Sequence, residues 1–111
     1  MTRLLTFEAL RYANVQRNKE WDPDGQITAV FRGLELAGEI GELCNMIKKL
    51  ERERMGLLGS RVGLIDLAYE MGDCQVCLDQ LAMHYSVDLD ITVKHIFNRK
   101  SEEQGFLTRI D

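Results

Sequence analysis

The chain has 111 residues, 45% of them hydrophobic, and a net charge of −4. That size and apolar content suit one domain with one core and exclude a disordered chain, while the acidic balance excludes general nucleic-acid binding, which needs a basic footprint. No apolar run approaches the roughly 20 residues of a membrane span, and Met1-Thr2-Arg3 leads into a charged helical pattern rather than a signal peptide, so the expectation is a cytoplasmic protein that avoids membranes.

The first helix is expected over residues 3–19, where Leu4, Phe7, Leu10 and Ala13 recur near the helical period. It stops at Trp21-Asp22-Pro23-Asp24-Gly25, a turn with the only proline. Trp21, the only tryptophan, reads either as a core anchor or as a ring able to stack on a base. A second helix follows from about Thr28 to about Arg54, capped by Asp24 or Thr28. It contains Glu35-Leu36-Ala37-Gly38-Glu39-Ile40-Gly41-Glu42, whose acids at i, i+4 and i+7 stack along one side. They border an arc of Leu36, Ile40, Leu43 and Ile47 that is expected to face other helices. Lys48, Lys49, Arg52 and Arg54, interleaved with Glu51 and Glu53, read as a salt-bridged exposed face.

The loop over residues 55–63 holds three glycines, which suggests mobility or close backbone approach to a ligand. The third helix, from about Leu64 to about Tyr85, carries the second acidic segment, Asp66 through Glu70 to Asp73. Between Val62 and Val93 there are six acids and no Lys or Arg, so any counter-charge must come from elsewhere in space. Cys44, Cys74 and Cys77 make an odd count. Cys74-x-x-Cys77 has no βαβ context and no second ligand pair at zinc-finger spacing, so the pair reads as small core residues. Ser86 or Asp88 caps a fourth helix, about 89–99, and residues 101–111 read as an irregular tail that docks through Phe106 and Leu107. Lys94 and Asn98 lie four apart on one side of that helix, with no acid between Asp90 and Glu102. They suit phosphate oxygens as donors, and suit equally the neutralisation of a helix C-terminus. His84 and His95 have no ligand spacing and read as surface or packing residues. With no strand pattern anywhere, the fold class is all-α, a bundle of four main helices in one domain spanning 1–111.

Glu39-x-x-Glu42 and Glu70-x-x-Asp73 are each i,i+3 pairs with Cβ atoms roughly 5–6 Å apart, close enough to share an ion. Two such helices packed antiparallel bring four carboxylates together, which is tolerable only with a cation between them.

These segments resemble the MazG-like all-α nucleoside triphosphate pyrophosphohydrolases. Residues 31–42 are similar to the family's first metal helix and residues 67–73 to its second. Lys94-x-x-x-Asn98 resembles the family's phosphate-contacting pair, and Glu20-Trp21-Asp22-Pro23 its tryptophan-bearing turn. Gly38, Gly41 and Gly72 depart from the alanine or aliphatic residues of many relatives. Glycine inside a helix costs up to about 1 kcal/mol, which suggests close helix packing there.

The resemblance implies an oligomer, a homo-dimer or a tetramer built from dimers, and a housecleaning hydrolase. It would cleave a (deoxy)nucleoside triphosphate to the monophosphate and pyrophosphate. The implied metal is Mg²⁺, with Mn²⁺ as a substitute, held by Glu39, Glu42, Glu70 and Asp73. Glu35 and Glu39 are the expected catalytic acids, with Glu35 orienting or deprotonating the attacking water or standing behind the ligands. Trp21, Lys94 and Asn98 are the expected substrate contacts. The competing expectation is a non-enzymatic oligomeric adaptor whose acidic face binds a divalent ion or a basic partner.

Overall fold

The computed structural model describes residues 4–111, and among them the regular structure is helical throughout. The four helices are α1 (Phe7–Trp21), α2 (Ala29–Arg54), α3 (Leu64–His84) and α4 (Leu89–Gln104). The start expected at residue 3 lies outside the described residues. α1 begins after Thr6, whose hydroxyl accepts from the Ala9 amide at 3.0 Å. α2 begins as expected at Thr28, whose hydroxyl accepts from the Phe31 amide. The turn before it is organised by Asp22 rather than Asp24. The Asp22 carboxylate accepts from the Gln26 and Ile27 amides at 2.9 and 2.8 Å, and these bonds hold its pKa below the ordinary value.

Three helices end in one device. A residue just past the helix turns left-handed, and two backward amide bonds satisfy the last carbonyls. Gly56 serves α2 and Gly105 serves α4, at φ 74° and 73°. Ser86 serves α3 at φ 55°, with Val87 N donating to Ala82 O. Ser86 therefore closes α3 instead of capping α4, where Asp88 holds the N-cap position. α4 runs to Gln104, a turn beyond the expected end at Arg99, because Ser101-Glu102-Glu103-Gln104 tolerate helix and Gly105 is the stop.

α2 and α3 make the principal helical pair, α1 packs on α3, and α4 leans on α1. Glu35 lies near Cys77 while Glu39 lies near Cys74 and Glu70, so α2 and α3 run antiparallel. Of the large apolar arc on α2, Leu36 and Leu43 are half-buried, but Ile40 and Ile47 remain exposed. Cys74, Cys77 and Ala82 are the buried apolar residues among those described, as expected for the two cysteines, whereas Cys44 is exposed. Phe106 and Leu107 are also exposed and do not dock the tail. A methyl group added at Gly38, Gly41 or Gly72 would meet nothing within 4 Å, so the close packing expected there is absent within one chain. In the glycine-rich loop the close approach is to the chain's own Arg52. Its guanidinium lies where a Gly59 side chain would be and donates to Ser60 O at 2.7 Å. Among the described residues no helix is long and apolar enough to cross a membrane.

Candidate functional site

The antiparallel α2–α3 pair brings Glu39, Glu70 and Asp73 together, with one oxygen from each within 4.8 Å of the others. Glu70 is buried at 6% exposure, Glu39 is half-buried and Asp73 faces solvent. Glu39 Oε2 and Glu70 Oε1 are buried without a hydrogen-bond partner, an arrangement native interiors avoid unless something else satisfies the oxygens. Glu42 lies outside the tight cluster but close enough for its charge to act on Glu70. The Glu70 carboxyl is pushed up to about 7. The largest cause is the neighbouring Glu39 carboxyl, with which Glu70 can share a hydrogen bond only if one of the two takes up a proton; as carboxylates the two orphaned oxygens have no partner. Burial comes next, followed by the charges of Glu39, Glu42 and Asp73. An all-oxygen donor set with two orphaned carboxylate oxygens suits a hard divalent cation, so the residues fit Mg²⁺ or Mn²⁺. The nearby Cys74 and Cys77 thiols are pushed up by burial, Cys77 to about 11, which makes them poor thiolate ligands.

One and two turns before Glu39, the start of α2 carries a feature that sequence reasoning missed. Arg32 is buried at 1% exposure. It donates to Glu35 Oε1 at 2.9 Å and to Asn18 Oδ1 on α1 at 2.7 Å. Its guanidinium also sits 5.5 Å from the centre of the Trp21 ring, and Phe31 packs against that ring at 6.2 Å. Glu35 is thus positioned by a buried cation. Trp21 is 61% exposed, with Arg32 over one face of its ring, which removes the core-anchor alternative. The sequence clue was an arginine four residues after the Thr28 cap, on the side of the helix that returns to α1.

Lys94 and Asn98 stand elsewhere. With His95, Arg99 and the tail residue Arg109 they line a groove of about 660 Å³ along α4, and none of the clustered acids shares it. Lys94 has no ion-pair partner among the described residues, whereas Arg99 and Lys100 pair with Glu103. The Asn98 amide is engaged by the tail. Its Nδ2 donates to Ile110 O at 2.9 Å, and its Oδ1 accepts from the Ile110 amide at 2.8 Å.

A second buried polar cluster lies at the α1–α3 contact. Asp79, 1% exposed, accepts from Arg11 Nε at 3.2 Å and from Asn14 Nδ2 at 2.9 Å, while Arg11 Nη2 donates to Val87 O at 2.6 Å. One acid of the cation-free α3 segment thus finds its counter-charge 68 residues away on α1. Glu39, Glu70 and Asp73 have no ion-pair partner among the described residues. Compared with protein-family models, with curated proteins and with solved structures, the chain matches none.

Proposed function

We propose that this chain is a Mg²⁺-dependent nucleoside triphosphate pyrophosphohydrolase of the MazG-like all-α type. Its products would be the monophosphate and pyrophosphate, and its role a housecleaning of nucleotide pools in the cytoplasm. The observation that carries the reading is the pair of buried, unpartnered oxygens on Glu39 and Glu70 beside Asp73, three acids that no ion pair among the described residues offsets. Glu39, Glu70 and Asp73 would hold the cation, with Glu42 at the margin of the cluster. Bound Mg²⁺ supplies charge neutralisation at phosphate oxygens and a more acidic water. Glu35, with Oε1 fixed by Arg32, keeps its other oxygen to orient that water. Trp21 presents a ring face for the base. Lys94 offers an unpaired ammonium for phosphate, while the amide of Asn98, the other expected contact, is engaged by Ile110 on the tail.

In a single chain the acids and the Lys94 groove do not share a cavity, so this reading places them on one triphosphate across an interface between copies. The exposed apolar surface supports such an assembly, a dimer or a dimer of dimers. The test is pyrophosphate release from mixed deoxynucleoside triphosphates with and without Mg²⁺. Glu70→Ala should abolish release, and Lys94→Gln should lower kcat as well as raise KM, because charge develops on the phosphates in the transition state. Mixing the two variants should restore part of the activity that each has lost. Full activity in Glu70→Ala would overturn the reading in favour of an adaptor.

A further inference from the structure

The tail after Gly105 folds back along α4 and is fastened there. Gly105 reverses the chain, Phe106 N donates to Ser101 O at 2.8 Å, and Ile110 makes its two-way bond with the Asn98 amide. Arg109 is bound at the same point, with Nη1 donating to the Asn98 backbone carbonyl at 3.0 Å. One of its five donors is spent on this anchor, and it has no ion-pair partner among the described residues. The groove that results has Lys94, Arg99 and Arg109 as its cations and Glu102 as its one acid. It is a cationic groove on a chain whose net charge is −4. An exposed pair of unneutralised cations, one a planar fork on a fastened stem, suits an oxyanion with several oxygens better than a single carboxylate.

We propose that Arg109 is a phosphate-binding residue, and that Asn98 serves the groove chiefly by fastening the tail that carries it. The assignment of the groove to a nucleotide's polyphosphate rests on the pyrophosphohydrolase reading. Its affinity for polyphosphate does not.

The probe is inorganic tripolyphosphate, titrated calorimetrically into the full chain in chelator at low salt. The wild-type chain should bind it, and more weakly as salt rises. Arg109→Gln should weaken binding about ten-fold or more, the usual scale for losing a charge-assisted hydrogen bond. Asn98→Ala should weaken it to the same extent, and the double variant no further, because both changes remove one function. Arg61→Gln, on the loop before α3, controls for net charge and should bind as wild type. Arg109→Gln is an exposed tail change, and circular dichroism verifies that its helices persist. The proposal is overturned if tripolyphosphate does not bind, if Arg109→Gln binds it normally, or if the Asn98 and Arg109 losses add. Normal groove binding without pyrophosphate release from any nucleotide would reject the enzymatic reading and keep the groove. Pyrophosphate release that persists unchanged in Arg109→Gln, with tripolyphosphate binding also unchanged, would reject the groove and keep the enzyme.

Discussion

Glu70 concentrates the electrostatics of the molecule in one side chain. Its pKa in the folded chain is about 7, against an ordinary value of 4.5. A carboxyl shifted upward binds its proton more tightly when folded. Its contribution to stability is therefore complete below about pH 4.5 and is lost as pH rises through about 7. In chelator at pH 8, Glu70→Gln should melt above the wild-type chain, and the difference should vanish toward pH 4.5. Divalent cations should raise the wild-type Tm more at pH 8 than at pH 5.5 and leave Glu70→Gln nearly unmoved. Scanning calorimetry across that range checks both effects. The i,i+3 spacing was enough to pick out these acids in the sequence. It gave no means of ranking them, because burial of Glu70 over Glu42 depends on how α3 is rotated against α2. Arg32 and Arg109 were hidden for a related reason: what distinguishes each is a partner on another segment, which helical periodicity does not encode.

At the scale of elements, the helices were legible wherever a local signal set an end. Thr28, the Pro23 turn and the glycine run after Arg54 placed α2 closely. The run of Lys94, Arg99 and Lys100 looked like a last helical turn, and it drew the expected end of α4 away from Gly105, the residue that stops it. What joins the elements is polar. Asp79 ties α1 and α3 together through Arg11 and Asn14, and Arg11 carries the tie to the backbone before α4. Asp79→Ala strands a buried amide and a partly buried guanidinium. It should cost about 3 kcal/mol, near the lower end for breaking a buried pair because Arg11 can still reach water. Asp79→Asn keeps an acceptor for Asn14 and should cost less. Urea unfolding of the two variants measures the difference.

As a whole molecule, one chain is more open than its mass predicts. Its accessible surface is 8579 Å², whereas a compact monomer of 12.8 kDa exposes about 6300 Å². Its radius of gyration is 17.4 Å, against about 13 Å for a compact domain of this length. The surplus is of the order buried by obligate interfaces, and it includes Leu34, Ile40, Ile47, Leu64 and Ile65. Light scattering at micromolar concentration should give at least twice the 12.8 kDa chain mass. A monodisperse folded monomer would contradict that expectation. The expectation of an assembly was legible in the sequence through the family resemblance. The surfaces that would meet were not, since pairing between copies leaves no periodic mark.

Trp21 also gives the protein an optical property. It is the only indole in the chain, so ultraviolet emission excited at the red edge of tryptophan absorption reports on a single corner, where Arg32 lies under the ring and water reaches the rest. That emission should be red-shifted, as for a hydrated indole, even in the fully folded state. A stacked base would quench it, whereas a second copy closing over the corner would shift it to the blue as the protein concentration rises. Two titrations in one cuvette, nucleotide at fixed protein and protein alone, therefore separate occupation of this corner from its enclosure without any label or substitution.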